Sequence, residues 1–341
     1  MKGGIVVANV SSNSAIFYNP GALAFFEGQS IEAQADLVTL DVFNFKNGAG
    51  DDIPIKMLSL DVAPTLIGYS TQSKSKPKLV YGFGVFTKNI SNIAYNIRHE
   101  TEGNYLSSTA DTDIFHGELR YRNRATENWV NGTIAYQLSP KIGIGLATNV
   151  VIKIQDYLNS YNATVREKGA SNPIPETNFA MVDHLEDFSF RSLGFVFKPG
   201  ININLSPIKI GATITTPNLS LGLLNNQSNR RSTEILPDIT NGISNTANSH
   251  IDYAGKYDTP WILDLGVEYQ FNKTRINTMF GFFSKVDAYK MISSKQNSID
   301  FSESFSDDPN FAIPYMASKQ VVNFGISIDH KLQNDLNFLL T

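Results

Sequence analysis

The sequence is most informative through what it lacks. It contains no cysteine, which excludes a disulfide framework and fits an exported bacterial protein. No run approaches the ~18–20 consecutive apolar residues that a membrane-spanning helix requires. Crossing a bilayer with helices is therefore excluded, and a closed β-barrel is the remaining way to satisfy every backbone group inside lipid. No basic stretch occurs and the net charge is -4, which argues against nucleic acid as a partner. The five histidines (His99, His116, His184, His250 and His330) come without a Gly-x-Ser-x-Gly nucleophile motif, so a barrel lipid hydrolase is the weaker reading and no enzyme is expected. The spacing of His, Asp and Glu suggests no metal centre and no cofactor. Asp111-Thr112-Asp113 and Asp307-Asp308 could bind calcium weakly, but solvated acidic loops explain them better.

What is present is alternation. In Ile142–Gln155, Ile142, Ile144, Leu146, Val150, Ile152 and Ile154 share one parity while Gly143, Gly145, Ala147, Asn149 and Lys153 share the other. Segments 192–206, 261–271 and 322–332 repeat this two-faced pattern, as strands do. Ser139-Pro140-Lys141, Ser206-Pro207, Asn272-Lys273-Thr274 and Gln333-Asn334-Asp335 are turn signals of the hairpin type. Every other connection is a long polar stretch: roughly Asn44–Lys56, Asn89–Asn128, Asp156–Asp187, Pro217–Asp258 and Val286–Lys319. Most of these exceed the ~12–15 residues usual in a compact soluble domain.

Short turns at one end and long loops at the other describe an outer-membrane barrel. A soluble all-β sandwich or jelly roll also alternates, but it has no reason to confine its long loops to every second connection. A lysine on the lipid face near the midplane would cost ~2–4 kcal/mol. The parity shared by glycines and charges, with Lys153, Lys198 and Lys209, is therefore predicted to face the lumen. Trp129, Tyr136, Trp261 and Tyr269 fall near strand ends, where aromatic girdles meet headgroups. The mean hydropathy of -0.16 is compatible with this arrangement, because alternation conceals the apolar face.

Upstream of the first strand lies Ser11-Ser12-Asn13-Ser14-Ala15-Ile16-Phe17-Tyr18-Asn19-Pro20-Gly21-Ala22-Leu23-Ala24. This segment resembles the FadL/OmpP1/TodX family of outer-membrane transporters for hydrophobic compounds, whose amino-terminal Asn-Pro-Ala signature precedes the barrel and plugs its lumen. Asn19 and Pro20 match the signature, and Gly21-Ala22 reverses its usual Ala-Gly order. Ala63-Pro64-Thr65 before the second strand and Pro260-Trp261 before the eighth extend the likeness over nearly the whole chain.

The resemblance implies an all-β fold, an antiparallel transmembrane β-barrel of fourteen strands with a lumenal plug. Residues 1–28 would form the plug and 29–341 the barrel. About eleven strands are counted here, so the barrel is expected to be incomplete at its carboxyl end. Met1-Lys2-Gly3-Gly4 leads into the plug without an apolar export segment, so a signal peptide and several mature residues are expected upstream in the parent gene. The implied function is passive uptake of long-chain fatty acids or other hydrophobic small molecules by a monomer in the bacterial outer membrane, in contact with its lipid. A non-transporting anchor or shuttle for secreted proteins is the alternative.

The plug and gating candidates are Phe17, Tyr18, Asn19, Pro20 and Leu23. The family's third strand is kinked, which makes Asn89, Ile90, Ser91 and Asn92 the candidates for a lateral opening. Ending of the strand at that point is the competing reading. Phe179, Val182 and Leu185 recur at helical spacing in the third long loop. They predict a small amphipathic helix, either capturing substrate in an apolar groove or packing on the neighbouring loop.

Overall fold

The computed structural model describes residues 7–10, 13–35, 39–45, 55–61, 65–106, 112–169, 179–235, 243–252, 255–292, 314–331 and 337–340. A one-turn helix α1 (Ala15–Tyr18) and a 3-10 turn (Ala22–Phe25) come first. The strands follow: β1 (Gln29–Ala35), β2 (Thr39–Phe45), β3 (Ile55–Asp61), β4 (Thr65–Gln72), β5 (Leu79–Gly103), β6 (Asp113–Ser139), β7 (Ile142–Glu167), β8 (Phe179–Leu205) and β9 (Ile208–Thr215). After them run β10 (Leu219–Ser220), β11 (Asn226–Ile235), β12 (Ile243–Asp252), β13 (Ile262–Phe271), β14 (Thr274–Phe283), β15 (Val286–Lys290), β16 (Tyr315–Ser318), β17 (Val321–Lys331) and β18 (Asn337–Leu340). Among the described residues no helix is long and apolar enough to cross a membrane.

The main sheet runs β1-β4-β5-β6-β7-β8-β9-β13-β14-β17-β18, with β10, β11 and β12 attached beside β8. All its pairings are antiparallel, as an up-and-down barrel wall requires. Tight turns at 140–141, 206–207 and 272–273 close one end. The turn at Gln333-Asn334-Asp335 lies outside the described residues. At the other end, the stretches read as long loops are largely hairpin outgrowths. β5 and β6 stay paired from Leu79↔Tyr136 to Gly103↔Asp113, and β7 and β8 from Ile142↔Ile203 to Arg166↔Phe179. Polar composition misleads here because a strand rising beyond the apolar layer has no need of a greasy face. Strands of 25–27 residues are more than twice the ~9–11 that span a bilayer.

The two parities separate as predicted. On β7, Ala147, Asn149, Val151 and Lys153 are buried, whereas Ile144, Leu146 and Ile154 are exposed. Exposed apolar side chains continue around the outer face through Ile67, Phe83, Val130, Ile134, Ile214, Leu265 and Phe324, an apolar belt that suits hydrocarbon as its surroundings. Trp261, Tyr136 and Tyr269 lie on that outer surface. Trp129 does not: it is buried on the inner face, because its odd position on β6 places it on the side of Asn131 and Thr133.

Candidate functional site

The amino-terminal segment lies against eight strands of the wall, β1, β4 to β9 and β13, and the glycines show how it fits. A Cβ on Gly145 would fall 2.3 Å from the Pro20 carbonyl oxygen, one on Gly200 2.5 Å from Asn19 Oδ1, and one on Gly211 2.2 Å from the Val7 carbonyl oxygen. Gly82 and Gly84 are pressed in the same way by Ile16, and Gly143 by Gly21. Glycine on the inner parity thus makes room for the segment. Gly21 itself comes so close to Gly200 and Ile201 that a Cβ would sit 2.7 Å from backbone atoms, which gives the reversed Gly21-Ala22 order its physical reason.

Asparagines fasten the segment. The fully buried Asn19 donates from Nδ2 to the carbonyls of Val7 (2.8 Å) and Ile201 (3.0 Å), and its Oδ1 accepts the Gly21 N–H at 2.9 Å. Asn13 Nδ2 donates to the Ser30 and Gly68 carbonyls at 3.0 and 3.2 Å, and Asn202 Nδ2 to Ala8 at 3.0 Å. Asn9 Nδ2 donates to Glu268. Leu23 is buried beside Gly82, and Tyr18 packs edge-on against Phe17 with ring centroids 4.9 Å apart. Phe17, Tyr18, Asn19, Pro20 and Leu23 are therefore gathered inside the wall.

Above the segment lies an apolar chamber that its own packed side chains fill. The Phe17 ring is 4.2 Å from Phe86 and 6.5 Å from Trp129. Leu66, Val151, Phe190, Val196, Tyr257, Met291 and Ile292 complete the cluster. One buried carboxylate sits among these rings. Glu127 accepts from Trp129 Nε1 and from the Tyr257 hydroxyl, each at 2.7 Å, and lies 3.5 Å from Lys88 Nζ. Three ammonium groups converge on the same rings: Lys88 over Trp129 at 4.6 Å, Lys153 over Tyr257 at 5.4 Å and Lys198 over Phe17 at 5.4 Å, distances at which cation–π attraction acts. Lys198 also donates to the Phe17 carbonyl at 2.9 Å. Lys209, the third lysine of inner parity, pairs instead with Glu268 at 3.2 Å.

The chamber borders a cavity of about 360 Å³ whose lining mixes Tyr157, Phe188, Met291 and Met316 with Glu186, Asp187 and Arg230. Burial, reinforced by the negative charge of Glu186, pushes the Tyr157 phenol up to about 12, so its hydroxyl stays neutral at physiological pH. Such a site holds an apolar body beside charged groups of both signs. Among the described residues no group of three or more His, Asp and Glu could hold a metal. Asp113 instead accepts the backbone N–H groups of Tyr105 and Leu106. Asp111, Asp307 and Asp308 lie outside the described residues.

One expectation needs correction, and one competing reading falls. Phe179, Val182 and Leu185 form no helix; they lie in β8, opposite Arg166, Ala163 and Ser160 of β7. At period two, Val182 and the other pair point to opposite faces, so the three share no apolar stripe. Nor does the third strand end at Asn89–Asn92. Its register shifts between Thr87 and Asn89, and pairing resumes at once as Asn89↔Glu127, Ile90↔Thr126, Ser91↔Ala125 and Asn92↔Arg124. The irregularity is a β-bulge at Lys88, which exchanges the inner and outer parities; that exchange is why the alternation dissolves there in the sequence. Phe86, Lys88 and Glu127 escaped the sequence reading and Trp129 entered it only as a girdle residue, although bulky residues on a glycine-rich parity were a usable signal. Tyr257, Met291 and Ile292 come from connecting segments with no period to read.

No family model matches the sequence, and no curated protein is similar to it in sequence. Solved structures are similar in fold. The P. putida toluene transporter TodX is 14% identical with a TM-score of 0.57, and the match covers 98% of this chain and 79% of that one. The CymD monoaromatic hydrocarbon channel is 12% identical with a TM-score of 0.51, covering 99% and 80%. A Pseudomonas aeruginosa FadL homologue is 10% identical with a TM-score of 0.52, covering 99% and 76%. The chain, an antiparallel wall wrapped around an amino-terminal plug, thus carries the FadL/TodX barrel fold.

Proposed function

We propose that this protein moves small hydrophobic molecules passively across the bacterial outer membrane. The observation that carries the reading is the 360 Å³ cavity, bordered by the packed apolar cluster that rests on Phe17 of the plug. An apolar molecule gains ~0.8 kcal/mol per methylene buried in such a site, which a water-filled pore does not offer. Two proteins of the same fold are a toluene transporter and a monoaromatic hydrocarbon channel, and this supports the assignment. A lumen serving only as an anchor for secreted proteins would be sealed by bulky polar loops, whereas this one is lined with rings and methyl groups.

In this reading residues 1–28 are the plug and 29–341 the barrel, which acts as a monomer. A shift of the Phe17–Leu23 segment opens the chamber, and the bulge at Lys88 marks where the wall yields sideways, at Asn89–Asn92. Lys88, Lys153 and Lys198 suit a carboxylate end, so fatty acids belong among the substrates beside neutral hydrocarbons. The test is uptake of radiolabelled fatty acid and toluene by cells with and without the full-length gene. Faster uptake of at least one is expected, and identical uptake of both defeats the proposal.

A further inference from the structure

The outward face of the wall carries a feature that plug and chamber do not use. On β6 the exposed Leu138, Tyr136, Ile134 and Val130 belong to the apolar belt, and the exposed Ile154 of β7, opposite Thr126, brings the belt up to that level. From Leu138 to Thr126 the strand runs about 40 Å, which a tilt of about 45° reduces to roughly 28 Å, close to the ~25 Å height of such a belt. The next outward positions on β6 are Arg124, Arg122 and Arg120, all exposed and about 7 Å apart along the strand. Arg98 on β5 and Arg191 on β8 are exposed on the same face. The bulge at Lys88 puts Arg98 there: it turns the even positions of β5 outward and leaves Tyr95 and Tyr121 stacked on the inner face, ring centroids 5.0 Å apart.

Three carboxylates share this face. Glu118 bridges Arg98 at 3.2 Å and Arg120 at 2.5 Å, Asp156 lies opposite Arg124 and accepts from Ser189 Oγ at 2.9 Å, and Asp187 feels the charge of Arg122. Asp183, level with Glu118, is held by Arg231 of β11 at 2.7 Å. The five arginines thus outnumber the acids among them, on a chain whose net charge is -4. Among the described residues Arg122 and Arg124 form no salt bridge. Arg124 Nε donates to Asn92 Oδ1 at 3.1 Å, which uses one of its five N–H donors. We propose that this row binds the phosphate groups of an anionic lipid of the outer leaflet, a phosphorylated glycolipid. A guanidinium grips a phosphate through two parallel hydrogen bonds, and the row stands where headgroups begin. A free anion has no reason to collect at that height, whereas a lipid phosphate is held there by its own chains. A lipid with more than one phosphate engages more than one rung. The proposal rests on the placement of the belt in a membrane and not on transport.

The test titrates the full-length protein in non-ionic detergent with bisphosphorylated lipid A and counts bound lipid by native mass spectrometry. Arg120→Gln/Arg122→Gln/Arg124→Gln removes three charges, and Arg120→Lys/Arg122→Lys/Arg124→Lys keeps them but loses the fork. One cation near an anionic surface is worth about fivefold in affinity, so the glutamine variant should bind about 25-fold or more weakly and the lysine variant less than about fivefold more weakly. Wild type should bind dephosphorylated lipid A as poorly as the glutamine variant binds the phosphorylated form. Unchanged affinity in the glutamine variant, or equal binding of both lipids by wild type, would overturn the proposal. Displacement of lipid A by millimolar inorganic phosphate would overturn it too, by making the row a site for free anions. Failure of the wild type to float with phosphatidylcholine vesicles would instead remove the membrane placement, and the proposal with it.

Discussion

Asn19 holds the plug with one carboxamide: two donated hydrogen bonds to carbonyls, one of them on the wall, and one accepted from the next turn of the segment. Asn19→Ala leaves three backbone groups without their side-chain partner, each worth about 1–3 kcal/mol when buried. Asn19→Asp is expected to be worse, because a carboxylate would then face the Val7 and Ile201 carbonyls. Urea unfolding in detergent should rank wild type above alanine and alanine above aspartate, with ion leakage through planar bilayers rising in the same order. An aspartate variant as stable and as tight as wild type would refute this role. Asn19 and Pro20 were legible in the sequence as a motif, but Ile201, 182 positions away, was not. Nothing local specifies which carbonyl a side chain will meet once the wall curves round it.

At the scale of elements, the bulge at Lys88 decides what faces the lumen above it. Thr87 pairs with Asn128 and Asn89 with Glu127, so Lys88 is the extra residue. Deleting Lys88 should leave β5 and β6 in register and Tyr95 on Tyr121, removing only the ammonium beside Glu127 and Trp129. Deleting Ser91 should send Tyr95 to the outer face, because a one-residue slip reverses every side chain beyond it. Accessibility of a cysteine placed at position 95 to an impermeant thiol reagent checks both, since this chain has no other cysteine; equal labelling of the two deletions would contradict the bulge. Regular strands such as β7 were legible because their parity never changes. The β8 stretch from Phe179 to Leu185 was not, because spacing of three fits a helix until β7 and β11 supply partners on both sides.

At the scale of the molecule, the alternation of tight turns and tall connections carried the fold, and the apolar belt follows from it. Ile134, midway along the exposed apolar run of β6, and Leu138, beside the turn, both lie on the outer face. Ile134→Lys should cost ~2–4 kcal/mol in a phospholipid bilayer, and Leu138→Lys about 0–1. Reversible urea unfolding in vesicles measures both, and equal costs would show that no depth gradient exists. The packing of Tyr257, Met291 and Ile292 over the chamber was not legible, since connecting segments carry no period. The glycines of the inner parity have a final consequence. At Gly82, Gly84, Gly143, Gly145, Gly200 and Gly211 the wall keeps no lining of its own beneath the plug, while Asn202, Lys198 and Glu268 still reach it with their side chains. Withdrawal of the segment would leave a trough that follows its outline, floored at those glycines by bare peptide backbone. The stopper is thus also the mould, and the bore left by its departure is already drawn in the strands that hold it.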